Sequence, residues 1–317
     1  MIQRTAPRSD GPAPGLSQVF KTKGSLRPDR IATGLLVATA LRLTDMSRPP
    51  EERVFEDPFG RKFLPPLFRV FLLPGVRHLL LAVTERRMPG AVGMLLCRSR
   101  YIDDALRDAL GEGCQQVVNL GAGFDTRAYR IPGIERTRVF EVDQPAPLAW
   151  KEARLHRVAE AGGPPAHVTF VPIDFDTQDL GEELGQAGFR AGLKTFFIWE
   201  AVTQYITAEA VDRTLAFVAS RAAGGSQIVF TYVERRMLDG ADLSEYEVKL
   251  LEIMREGGMP LVFGIDPAGL ETFLSERGLS LVDHLTAEDY RQRYLVPVGR
   301  QHMPIIDVEL MALARVN

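Results

Sequence analysis

The sequence predicts an α/β fold in which a helical N-terminal region lies over a largely parallel sheet, and three observations carry that expectation. Between residues 26 and 112, apolar helical pieces are broken at "DPFG", "LPP", "LPG" and "MPG". After Gly113, short β-rich runs alternate with longer helical ones, the signature of βαβ units. A glycine pair, Gly121 and Gly123, closes the first of those runs. The chain has 317 residues, 45% of them hydrophobic and 25% charged, enough apolar material for a large core.

Taken in order, residues 1–25 are rich in Pro, Gly, Ser and Thr and are expected to be flexible. The stretch "DRIATGLLVATALRL" then shows helical spacing, with Asp29 expected as its cap. Residues 26–112 read as a helical cap and 113–317 as the sheet-bearing core. Seven strands are drawn at "QQVVNL", "TRVFEVD", "HVTFVPID", "KTFFIWE", "SQIVFTYV", "LSLVDHL" and "IDVELMALA". Residues 234–264, charged and carrying Met237, Met254 and Met259, read as an insertion after the fifth strand that folds over the sheet edge.

Several function classes lose support on composition. A net charge of −3 and a pI of about 6.0 give no general attraction to nucleic acid or anionic lipid. Cys97 and Cys114 stand without a His or Cys cluster, so no disulfide framework and no metal site is expected. The most apolar run, Val70 to Val83, carries Pro74, Arg77 and His78 and is too short to span a bilayer. No secretory signal is read at the N-terminus, so a cytoplasmic enzyme without a membrane partner is expected.

In an open parallel sheet, ligands bind beyond the carboxyl ends of the strands. Gly121 and Gly123 let the chain turn there without Cβ interference. A dinucleotide fingerprint would place a third glycine where Thr126 stands, which weakens an NAD reading. Three acids favour an adenosyl ligand instead. Asp143 ends the second strand and can accept from both ribose hydroxyls. Asp174 ends the third, placed for an adenine amino group with Phe175 along the ring. Glu200 ends the fourth, near where a cationic amine or sulfonium would lie.

The segments "VVNLGAGFDTRAYRI", "VFEVDQPAPLAWK", "VPIDF" and "IWEAVTQYI" resemble the S-adenosylmethionine-dependent methyltransferases of the leucine carboxyl methyltransferase type. The resemblance, over about residues 30 to 310, implies a Rossmann-like, seven-stranded class I methyltransferase sheet with an N-terminal helical lid. It implies S-adenosyl-L-methionine as cofactor, lined by Gly121, Ala122, Gly123, Asp143, Gln144, Asp174, Phe175 and Glu200. It also implies an arginine for the cofactor carboxylate, with Arg98 in the matching place and Arg100 as second choice. One departure stands out: the family's Glu-Gly is Glu200-Ala201 here, so close backbone approach is in question. Asp125, Thr126 and Arg127 are expected to support the site.

The expected reaction is methylation of a carboxylate or phenolic oxygen of a small, polyketide-like or other secondary metabolite. Protein C-terminal carboxyl methylation is the alternative, with NAD-linked oxidation and a non-catalytic cofactor-binding subunit further behind. None of His78, His156, His167, His284 and His302 stands out as a base, which favours a carboxylate acceptor. Tyr205 is placed either to orient the acceptor or to pack. An apolar acceptor pocket is expected from Phe55, Phe59, Phe63, Phe68, Phe71, Met237, Met254, Met259 and Phe263, or else these form ordinary core. Beyond the small-molecule acceptor, homodimer formation is left open.

Overall fold

A computed structural model of the chain describes residues 28–158, 162–175, 177–256 and 259–317. The expectation for residues 1–25 lies outside the described residues. The first helix, α1, runs Pro28–Leu43. It therefore starts one residue before Asp29, which sits inside the first turn and not ahead of it. Proline is suited to that first position because its missing N–H has no helical acceptor to lose. Two further long helices complete the cap: α2, Pro74–Arg87, and α3, Ala91–Gly111, joined through Gly90 at φ 85°.

The sheet contains β1 (Gln116–Leu120), β2 (Arg138–Asp143), β3 (Val168–Pro172), β4 (Thr195–Trp199), β5 (Gln227–Val233), β6 (Leu279–Leu285) and β7 (Glu309–Val316). Their spatial order is β3-β2-β1-β4-β5-β7-β6. Every strand overlaps the segment expected from the sequence. The sheet is not wholly parallel, however: β7 runs antiparallel between β5 and β6. The chain from β6 to β7 turns through Ala287–Tyr290 and Arg291–Val298 with no crossover helix to return it to the other edge, so the strand comes back in the opposite direction.

Side-chain alternation divides the core in two. Val117, Val139, Phe196, Ile198 and Val229 point to the face covered by α3. Val118, Phe140, Phe197, Trp199 and Ile228 point to the face covered by α5 (Leu180–Gln186), α6 (Ala208–Arg221) and α8 (Leu270–Ser275). Both faces are buried, which is why the strands read as continuous apolar runs. Asp179 caps α5 and Thr207 caps α6 by accepting backbone N–H bonds of 2.8 and 3.2 Å.

The residues proposed to line one apolar pocket separate into different cores. Phe63 packs edge-on against Trp150 and Phe124, while Phe59 stacks on Tyr129, joining the cap to α4 (Pro145–Val158). Met237 and Met254 pack with Met88, Met94 and Tyr246 beneath α7 (Glu245–Glu256). Phe263 belongs to the α6 face of the sheet. The insertion is helical as expected and is closed by a bridge between Glu234 and Ile265.

The ion pair between Lys151 and Glu141 lies wholly inside. Lys151 Nζ is 2.8 Å from Glu141 Oε2, with both side chains at 1% exposure or less, and the Tyr129 hydroxyl donates to the same oxygen at 2.8 Å. The pair fastens α4 to β2 directly beneath the glycine turn. Removing one buried partner strands the other charge, a loss of about 3–5 kcal/mol. Lys151→Ala is therefore expected to lower unfolding free energy by that amount in denaturant titration. The paired change Lys151→Met with Glu141→Leu should recover most of it, since an apolar pair leaves no charge stranded.

Candidate active site

The turn after β1 is built by exclusion of side-chain atoms. Gly121 has φ 77°, and a Cβ there would lie 2.4 Å from Val202 Cγ2. Gly123 has φ 39°. The N–H groups of Gly121 and Ala122 donate to Val142 O at 2.8 and 3.0 Å, and that of Gly123 to Asp143 Oδ2 at 2.6 Å. The helix expected here is a single turn, Arg127–Arg130. These amides are thus engaged within the chain, and the turn offers a ligand bare backbone rather than donors. A pyrophosphate, which is held by such donors, finds none in this glycine segment.

Asp143 accepts a second backbone bond, from Gln144 N–H to Oδ1 at 2.7 Å. Each carboxylate oxygen has two acceptor positions, so one on each oxygen stays available for a hydroxyl. Burial pushes the Asp143 pKa up, and the two backbone donors hold it down in part. Asp174 lies just past β3 on the same edge, exposed, with its N–H bound to Gln178 Oε1. Phe175 is half-buried against the apolar core.

Glu200, at the end of β4, joins two arginines. Its Oε1 accepts from Arg98 Nε and its Oε2 from Arg127 Nη1, each at 2.8 Å. Burial opposes its ionisation, but Arg127 and Arg98 prevail and hold its pKa at about 2. Arg127 also binds Asp103 at 2.7 Å and Asp125 at 2.6 Å, and holds Asp125 below the ordinary carboxylate range against the opposing effect of burial. Arg130 binds Asp103 through both Nη atoms. Arg98 reaches Glu309 on β7 as well. Arg100 points elsewhere, to Asp104 and the Tyr294 ring, so it does not enter this cluster.

Residues 35–219 match the protein family described as leucine carboxyl methyltransferase. The chain belongs to the leucine carboxyl methyltransferase family. The match spans the glycine turn, Asp143, Asp174 and Glu200. Relatives include a Bacillus subtilis protein, named provisionally as an S-adenosyl-L-methionine-dependent methyltransferase, that is 31% identical over 61% of this chain and 63% of its own. A Streptomyces coelicolor protein of the same description is 35% identical over 50% of this chain and 54% of its own. The chain thus spans little more than half the length of these relatives. A Thermobifida fusca structure, named provisionally as a methyltransferase, shares the fold, with TM-score 0.55, 16% identity and coverage of 86% and 97%.

Within this family member, Ala201 takes the position expected to be glycine, and it does so in the glycine conformation, φ 56°. Its N–H donates to Thr231 Oγ1 at 2.7 Å, which holds the turn in place. The backbone path is preserved at a local cost. Tyr205 follows in a 3-10 turn, half-buried, its pKa pushed up to about 12 by burial and then by Glu309.

Five contributors were not singled out from the sequence: Asp57 and Arg130, which pair with each other, and three more. Glu309 and Asp103 lie far along the chain from their partners. Arg42, on α1, is the third: its guanidinium donates only to Ser99 Oγ at 3.3 Å and Thr39 Oγ1 at 3.5 Å, with no ion-pair partner among the described residues. Burial lowers its pKa, with Glu200 opposing and Arg127 adding to the fall. The only signal in the sequence was a basic residue at an otherwise apolar helical position.

Gly121→Ala meets both a clash and an unfavourable φ, so it should destabilise the chain. Adding Val202→Ala should restore only the steric share and leave about 1–2 kcal/mol, measurable by thermal or denaturant unfolding. A second expectation concerns acid. Glu200 has its folded pKa below the ordinary 4.5, so its stabilisation is complete above pH 4.5 and disappears as pH falls towards 2. Glu200→Gln should flatten the stability curve in that window.

Proposed function

We propose that this chain transfers a methyl group from S-adenosylmethionine to a carboxylate oxygen of a small organic acid. The observation that carries the cofactor assignment is the charge of the cluster. Arg42, Arg98, Arg127 and Arg130 face Asp57, Asp103, Asp125, Glu200 and Glu309, four positive against five negative, a formal −1. A ligand with an ammonium, a sulfonium and a carboxylate brings +1. Asp143 supplies the free acceptor positions for its ribose.

S-adenosylmethionine, when bound, supplies the methyl group for in-line displacement by the acceptor oxygen. The chain's part is placement: Asp143 fixes the ribose, Glu200 sits beside the cationic end, and Arg42 takes the carboxylate that the sequence reading gave to Arg98. Arg98 is already shared between two acids, whereas Arg42 has no acid of its own. Orientation of this kind is worth up to about 7–11 kcal/mol in favourable cases.

The proton chemistry around the cluster supports a carboxylate acceptor. Glu200 is held near 2 and Tyr205 near 12, so neither exchanges a proton near neutrality. No histidine among the described residues bonds a side chain of the cluster; His284 pairs with the Tyr232 hydroxyl at 2.9 Å and His167 with Ala128 O at 3.0 Å. A carboxylate arrives ionised and needs no base, while a phenol with pKa about 10 does. With its proton retained, Tyr205 can donate a hydrogen bond to such an acceptor.

Calorimetric titration with S-adenosylmethionine tests the first half. Arg42→Ala should weaken binding by about 2 kcal/mol through loss of a charge-assisted pair, with an unchanged melting temperature. Arg98→Ala should lower the melting temperature, because Glu200 and Glu309 lose a shared partner. Unchanged affinity in Arg42→Ala would return the role to Arg98. For the second half, labelled-methyl transfer should favour carboxylic acids over phenols of similar size; transfer to phenols alone refutes the carboxylate reading.

A further inference from the structure

The cap presents a face that the fold leaves uncovered. Leu79 to Val83 form an unbroken apolar run in α2, yet no residue of α2 is buried, nor any of the preceding turn Pro66–Leu72. Leu80 and Leu81 pack partly inward. Leu79 and Val83, one turn apart on the outer face, are 64% and 42% exposed, and Leu67 and Leu73 are 78% and 54% exposed. The turn and the helix meet at 82°, which spreads these side chains over a broad surface and not along a rod.

Charge is distributed to match. From residue 58 to 90 there are six basic residues, Arg61, Lys62, Arg69, Arg77, Arg86 and Arg87, against Glu85, a net +5. Residues 1–27 add five basic and one acidic, +4. With a total of −3, the rest of the chain carries −12. Arg61 and Lys62, ahead of the turn, and Arg86 and Arg87, in the last turn of α2, are exposed. The expectation of no membrane partner rested on net charge, on an apolar run too short to span a bilayer and on no secretory signal being read; net charge hides this division.

An apolar face flanked along the chain by cations, on a body that is otherwise acidic, complements a surface that is anionic outside and apolar just beneath. A symmetric second copy would bring like charges together. We propose that α2 and the turn before it dock the protein on an anionic lipid bilayer, lying in its interface. No single helix among the described residues is long and apolar enough to cross a membrane, which suits lying in the interface. Leucine and valine side chains would enter the headgroup boundary, and the flanking arginines would pair with lipid phosphates.

The test is co-sedimentation of the full chain with vesicles of phosphatidylcholine alone or with one third phosphatidylglycerol. Partitioning should be roughly tenfold stronger on the anionic vesicles and should fall as salt screens the surface. Leu79→Glu with Val83→Glu, and separately Arg86→Glu with Arg87→Glu, should each reduce it roughly tenfold or more. Unchanged melting temperatures establish that the variants fold. Absence of partitioning on anionic vesicles, or partitioning by both variants as strong as that of the unaltered chain, overturns the proposal. So does a dimer, seen by sedimentation velocity, that these substitutions break while vesicle binding is absent.

Discussion

The Glu200 carboxylate is the joint on which the site depends. One oxygen holds Arg98 of α3 and the other holds Arg127 just past the glycine turn, and Arg98 extends to Glu309 on β7. Cap, turn, central strand and returning strand thereby meet at one residue. Glu200, Arg98, Arg127 and Glu309 are tolerated at this depth because each is paired, and their desolvation cost is offset within the network. Their geometry is set before any ligand arrives, so little reorganisation remains for binding.

What such a network leaves unpaired tells more about function than what it pairs. Arg98 looks like an anion binder until its two carboxylates are seen; Arg42, less conspicuous, retains its charge unmatched. Asp143 spends one acceptor position per oxygen on backbone amides and keeps the others. The glycine turn gives its donors to Val142 and Asp143, which suits an adenosyl group lying on bare backbone and not a phosphate held by amides. Ala201 shows the same economy of path, since it adopts the left-handed conformation that the family's glycine would take without strain.

The cap's apolar residues divide by neighbour, not by type. Phe63, Trp150 and Phe124 form an aromatic joint between cap and α4. Met237 and Met254 seal the insertion against the start of α3. Leu67, Leu73, Leu79 and Val83, equally apolar, face outward. Residue type does not tell these groups apart, and only packing separated core from surface.

Local chemistry alone determined the strands, the glycine turn and the strand-end acids. A strand buried on both faces must be an apolar run, a sharp turn at positive φ favours glycine, and both signals lie within a few adjacent residues. The family motifs extended this to the cofactor and the acids. Tertiary structure decided the direction of β7, the outward face of α2, the conformation of Ala201 and the partners of every arginine in the cluster. Arg98 and Glu309 stand 211 residues apart, and no local period relates them. Which charge is neutralised and which remains for a ligand depends on distances that exist only after the cap has packed on the sheet.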